Sequence, residues 1–217
     1  MTKIADDDGG TKTAPLEMRG FLLHRGLLDP AAQAALVAEI RRVATEAPLV
    51  HPETRGGQKM SVRMTSAGRL GWVSDRRGYR YAPLHPLTGR PWPPIPAPLL
   101  ALWRQVTGLD RAPDSCLINF YGEGARMGLH QDRDEGDFRW PVVSVSLGDD
   151  ALFRMGGEAR GGATASVWLA SGDVVVMGGA ARLAHHGVDR IRFGSSALLP
   201  QGGRINLTLR CVGPGNS

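Results

Sequence analysis

The chain has 217 residues, of which 42% are hydrophobic, and its 26 Lys or Arg against 21 Asp or Glu give a net charge of +5. That length suits one domain with a substantial core. No apolar run approaches the roughly 18 residues of a membrane helix, which excludes a helical membrane protein. In chain order, the polar opening with Asp6, Asp7 and Asp8 lacks the basic-then-apolar pattern of a secretory leader, so a cytoplasmic protein with a disordered tail at 1–15 is expected. Asp29-Pro30 reads as an N-cap with proline at the first helical position. Residues 31–47 supply helix formers with apolar spacing at Leu36, Val37, Ile40 and Val43, so a helix packed on a sheet is expected there. From 50 to 98 the texture turns to Gly, Pro, Arg and aromatics, with short extended pieces at 60–64 and 79–82. Residues 41–111 hold twelve Lys or Arg against four acids, a basic excess that favours a polyanion such as nucleic acid. Arg far outnumbers Lys in the whole chain, and such a bias also fills ordinary solvated faces.

After the proline-rich stretch 91–96, a second helix is expected at 97–108, and beyond it the pattern is almost wholly β: 116–121, 142–147, 151–155, 165–169, 173–177 and 205–210. Two helices followed by short strands with Gly-rich connections give an α+β domain whose core is a double-stranded β-helix, or jelly roll. One domain over 16–212 is expected, with a lid at about 50–98 and a short tail at 213–217. Cys116 and Cys211 sit in strand-like runs without a paired framework and read as reduced core thiols.

The chemistry is concentrated after the strand at 116–121. A Gly-punctuated turn there delivers His130 and Asp132, one residue apart. On an extended segment residues i and i+2 share a face, so an imidazole and a carboxylate can converge on one ion. Two His and one carboxylate occupy one face of an octahedral Fe(II) and leave positions open for a cosubstrate and O2. The third ligand is then a distant histidine, with His185 and His186 competing and His186 the candidate. Near the C-terminus, Arg204 and Arg210 share one face of a strand, and inward-pointing guanidiniums need anions. A dicarboxylate would satisfy them. Asn119 and Tyr121 also share a strand face. Trp72, Tyr79 and Tyr81 are either core aromatics or, set among Arg76, Arg77 and Arg80, a lid that stacks on a base while the guanidiniums hold phosphates.

The order N-x-Y, H-x-D-x-D-E, G-D-V-V-V, H-G and R-x-N-L-T-x-R resembles the AlkB family of Fe(II)/2-oxoglutarate dioxygenases, nucleic-acid demethylases, over residues 57–210. The resemblance implies a nucleotide-recognition lid on the jelly roll, and it places the third iron ligand, His186, directly before Gly187. It implies 2-oxoglutarate contacts from Asn119, Tyr121, Arg204, Asn206 and Arg210, with Arg204 on the distal carboxylate and Arg210 near the metal-bound end. It further implies nucleotide contacts from Trp72 and Tyr79, and an approach to the target base by Asp134 and Arg160. The activity implied is oxidative demethylation of 1-methyladenine and 3-methylcytosine in DNA or RNA by a monomer, consuming Fe(II)-bound 2-oxoglutarate and O2 and releasing formaldehyde, succinate and CO2. Met177 and Ala184 stand where the family often has aromatics, a departure that bears on cavity shape. A hydroxylase of proteins or small molecules would keep the triad without the basic aromatic lid. A non-catalytic nucleic-acid binder would keep the lid without the triad.

Overall fold

The computed structural model describes residues 14–213, so the expected tails, apart from their innermost residues, lie outside the described residues. The chain opens with two short paired strands, β1 (Leu16–Met18) and β2 (Phe21–His24), which periodicity alone did not reveal. Helix α1 (Pro30–Glu46) begins as its sequence predicts: Asp29 caps it by accepting the Ala32 N–H at 2.7 Å, and Pro30 occupies the first turn. Strand β3 (Arg63–Gly68) follows, then a hairpin of β4 (Gly71–Asp75) and β5 (Gly78–Ala82). Helix α2 (Ala97–Thr107) stops at Gly108, whose φ of 68° is left-handed and lets its N–H reach the Arg104 carbonyl.

The remaining strands are β6 (Ser115–Tyr121), β7 (Met127–His130), β8 (Val142–Gly148), β9 (Ala151–Met155), β10 (Ala165–Leu169), β11 (Val174–Met177), β12 (His186–Ile191) and β13 (Arg204–Arg210). They form a seven-stranded sheet in the order β1-β2-β11-β8-β13-β6-β3, facing a four-stranded sheet in the order β10-β9-β12-β7. All the pairings are antiparallel, and the two sheets make the expected jelly roll. One expectation for the lid changes. Strand β3 is the edge of the large sheet, paired along β6, and only the β4–β5 hairpin forms a separate two-stranded sheet.

Strand alternation divides the interior into two layers. Ile205, Leu207 and Leu209 of β13, with Val143 and Val145 of β8 and Val174 and Val176 of β11, pack against Leu36, Val37, Ile40 and Val43 of α1 and Leu99, Leu102 and Trp103 of α2. The opposite residues of the same strands face the small sheet, where Phe21, Val142, Phe153, Met155, Val175, Met177 and Val188 form a second core. Covering one face of the large sheet with helices leaves the other free to line a cleft. Cys116 and Cys211 are buried and unbridged, and burial pushes the Cys116 thiol up to about 12. Among the described residues no helix is long and apolar enough to cross a membrane.

Candidate active site

His130 ends β7 and His186 begins β12, and the two residues are direct cross-strand partners. Side chains at such positions project to the same face, and the imidazole centroids lie 4.6 Å apart. Backbone contact here is close: a Cβ on Gly187 would sit 2.6 Å from the Met127 carbonyl oxygen and 2.8 Å from that of Gly128, so only glycine lets β12 lie against β7. Asp132, just past the end of β7, brings its carboxylate to the same point. Its Oδ1 is 3.7 Å from His130 Nε2 and its Oδ2 3.8 Å from His186 Nε2, and one ligand atom from each residue falls within 4.8 Å of the others.

The tautomers follow from the hydrogen bonds. His130 Nδ1 is 2.9 Å from the Gly128 carbonyl and His186 Nδ1 is 3.0 Å from that of Ala184. A carbonyl only accepts, so each Nδ1 carries the proton and each Nε2 turns its lone pair to the shared point. Burial lowers the His186 pKa to about 4, which keeps the ring neutral and free to ligate at physiological pH. Burial alone would raise the Asp132 pKa, but the Arg210 guanidinium, aided by the two imidazoles, outweighs it and holds the carboxyl below the usual carboxylate range. Two imidazoles and one carboxylate on one side of a point are the donor set of a non-haem Fe(II) centre.

Beside the triad the alternation of β13 points Arg204, Asn206, Thr208 and Arg210 into a cleft of about 770 Å³. Arg204 is 1% exposed and donates only to neutral acceptors: Ser146 Oγ at 2.7 Å and the carbonyls of Asp149 and Leu169 at 3.2 and 3.4 Å. Burial lowers its pKa to about 10, still charged at neutral pH, while its Nε has no partner and no carboxylate ion-pairs with it among the described residues. A buried guanidinium without a counter-charge is costly, and a carboxylate ligand would relieve it. Tyr121, its cross-strand partner, is pushed by burial to about 12 and remains a phenol. Asn119 Oδ1 is likewise buried without a partner, whereas the Asn206 amide is held by Ser144 Oγ at 2.7 Å. These groups fit a dicarboxylate such as 2-oxoglutarate. Arg210 lies beside the metal ligands as expected, but its charge is already met within the protein by Asp132 at 2.8 Å and Glu135 at 3.3 Å. Only its partnerless Nη1 is left for a cosubstrate.

The β4–β5 hairpin closes one side of the cleft. Trp72 and Tyr79 stack with centroids 5.4 Å apart, and the Trp72 indole N–H donates to Asp134 Oδ2 at 2.9 Å. Tyr79 is 43% exposed, which a core aromatic would not be, and Tyr81 donates its hydroxyl to Glu135 at 2.6 Å. Trp72, Tyr79, Tyr81, Asp134 and Arg160 all line the cleft. Arg80 does not. It lies between the two tyrosines on the alternating strand and so turns the other way, into an ion pair with Asp75 at 2.7 Å, so the guanidinium expected to hold a phosphate already has a carboxylate partner within the hairpin. His185 lines the cleft with Nδ1 3.1 Å from the Gly157 carbonyl, apart from the triad. Sequence reasoning assigned nothing to Glu135 and Arg182, which are buried next to the metal ligands. Glu135 stands inside the quoted H-x-D-x-D-E motif, but its partners lie far along the chain.

The signature of the 2OG-Fe(II) oxygenase superfamily matches residues 20–210. An alpha-ketoglutarate-dependent dioxygenase AlkB homolog of Caulobacter vibrioides is 59% identical over 191 residues, covering 88% of this chain and 87% of that protein. The alpha-ketoglutarate-dependent dioxygenase AlkB of Escherichia coli is 42% identical over 203 residues, covering 92% and 93%. Among solved structures, that of OsALKBH1 superposes with a TM-score of 0.78 at 29% identity, covering 90% of this chain and 99% of that one.

Proposed function

Because the chain belongs to the AlkB family of the 2OG-Fe(II) oxygenase superfamily and is a Fe(II)/2-oxoglutarate-dependent dioxygenase, we propose that it demethylates N-alkylated bases in nucleic acid. The substrates in this reading are 1-methyladenine and 3-methylcytosine in DNA, and the role is direct-reversal repair by a cytoplasmic monomer. The observation that carries it is the pairing of a stacked aromatic lid, half-buried Trp72 and exposed Tyr79, with the His130–Asp132–His186 triad across one cleft. A lid of stacked aromatics accepts the flat face of a base, and a base whose pairing edge is methylated is the one most easily taken out of a duplex.

Bound Fe(II) with 2-oxoglutarate and O2 would supply the oxidation that puts a hydroxyl on the N-methyl carbon, with succinate and CO2 as coproducts and formaldehyde as the leaving one-carbon unit. His130, Asp132 and His186 hold the metal, with both histidines kept in the ligating tautomer by backbone carbonyls. Arg204, from the floor of the cleft, anchors the distal carboxylate of the cosubstrate through a planar fork that lysine lacks. Trp72 and Tyr79 orient the base, and Asp134, fixed by the Trp72 indole, offers an acceptor at the cleft wall. Guanidiniums near the lid without a carboxylate partner among the described residues, such as Arg55 beside Tyr79, suit phosphates. The test is mass spectrometry of 1-methyladenine and 3-methylcytosine oligonucleotides beside proline- and lysine-containing peptides, each incubated with Fe(II) and 2-oxoglutarate. Loss of the methyl group from the oligonucleotides alone supports the reading. Oxidation of a peptide with the oligonucleotides untouched replaces it with a protein hydroxylase.

A further inference from the structure

Asp132 lies in a stretch, 131–134, that has no strand or helix to hold it. Its position is set instead by side chains. Arg182, 4% exposed and immediately after the 3-10 turn Gly179–Ala181, uses all three guanidinium nitrogens on this loop. Nη1 donates to the Asp132 carbonyl at 2.7 Å, Nε to the Trp140 carbonyl at 2.8 Å, and Nη2 to Glu135 Oε2 at 3.1 Å. The other carboxylate oxygen of Glu135 accepts the Tyr81 hydroxyl at 2.6 Å and faces Arg210 Nε at 3.3 Å, while Arg210 donates to Asp132 Oδ2 at 2.8 Å.

The result is a closed, self-neutral set of two carboxylates and two guanidiniums. Arg182 clamps the backbone of Asp132, Arg210 clamps its side chain, and Glu135 is the counter-charge they share. Removing any one member leaves a buried charge uncompensated, so the set moves as a unit. Arg182 does not line the cleft and cannot touch a substrate there. Glu135 lines the cleft but has both oxygens engaged within the protein, and among the described residues its hydrogen bond to the lid comes from Tyr81.

We propose that Arg182 and Glu135 are positioning residues for the metal-binding carboxylate, and that through Tyr81 they couple the seating of the lid hairpin to the geometry of the iron site. The proposal rests on His130, Asp132 and His186 being the iron ligands. It deepens that reading by giving lid movement a route to the metal: a nucleic acid that draws β5 inward or outward moves Glu135 and, with it, the pair that holds Asp132.

The test titrates Co(II), a redox-inert stand-in for Fe(II), into the metal-free full-length chain and measures the melting temperature of the same samples. Arg182→Met, which keeps the bulk of the side chain, is expected to raise the Co(II) Kd about ten- to a hundredfold, the usual cost of losing a group that orients a metal ligand. Arg182→Lys recovers part of the loss, because one donor can reach one of the three acceptors. Glu135→Gln also weakens Co(II), and combining it with Tyr81→Phe gives a non-additive change. Should Arg182→Met fail to fold, Arg182→Lys and Glu135→Gln serve for the same comparison. Wild-type Co(II) affinity per folded molecule, with only the melting temperature lowered, overturns the proposal by making the pair structural. Strict additivity of Tyr81→Phe and Glu135→Gln removes the link to the lid. An error in the underlying triad shows separately, as undiminished Co(II) binding by His130→Ala.

Discussion

At the scale of single residues the site separates a metal function from an anion function. His130→Ala or Asp132→Ala removes one of three protein ligands, and isothermal titration with Co(II) together with succinate formation is expected to show greatly weakened binding and no turnover; a variant that binds metal and turns over normally removes that residue from the triad. Arg204 stands apart from the metal ligands, and in the proposed reading its loss acts on the cosubstrate. A charge-assisted contact to a carboxylate contributes about 1.5 to 3 kcal/mol, so Arg204→Ala is expected to raise the 2-oxoglutarate KM roughly ten- to more than a hundredfold. Unchanged 2-oxoglutarate dependence would move the anion site elsewhere. Arg204 and Arg210 were legible because both lie on one strand, where spacing fixes the shared face; His130 and Asp132 were legible as a close pair although Asp132 lies just past β7, and His186 through the family resemblance. Arg182 and Glu135 were not, since their partners are separated by 47 residues, and only the folded chain brings them together.

At the scale of elements, two segments carry the predictions. Strands β7 and β12 hold the histidines side by side only because Gly187 leaves room, so Gly187→Ala drives a methyl into the Met127 carbonyl. Overpacking of this kind costs typically about 1 to 3 kcal/mol. The expected outcome is a lowered melting temperature with weakened Co(II) binding, and a normal value for both would show that β12 has slack against β7. Within the β4–β5 hairpin, Trp72→Ala is expected to weaken binding of a methylated single strand by about 1 to 3 kcal/mol, the range for a stacked base. If Trp72 instead served the core, the variant would lose about 3 to 5 kcal/mol of stability with unaltered affinity per folded molecule. Melting and oligonucleotide titration of the one variant decide it. The sequence foretold α1, α2 and the long apolar strands from cap and periodicity. It did not foretell β7 or β12, since β7 is four residues interrupted by Gly128 and β12 is broken by register shifts around Val188 and Arg190. Nor did composition distinguish β3, a sheet edge, from the lid beside it, because both lie in the same Arg- and aromatic-rich stretch.

At the scale of the molecule, the two helices and the two sheets divide the labour. The helices cover one face of the large sheet and leave the polar face of β13 and β6 as the floor of the cleft. The small sheet and the loop after it bring the metal ligands over that floor, and the hairpin closes the side. On the proposed function, the oxidation of 2-oxoglutarate is coupled to removal of a methyl group from a base held between lid and metal. The most direct measurement is the stoichiometry of formaldehyde to succinate with a 1-methyladenine oligonucleotide, an unmethylated control and Fe(II), in the wild-type protein and in His186→Ala. The account predicts formaldehyde and succinate rising together, in about equal amounts above the control, only with the methylated strand and only in the wild type. Succinate formed without formaldehyde under the same conditions, or formaldehyde formed by His186→Ala, would contradict it.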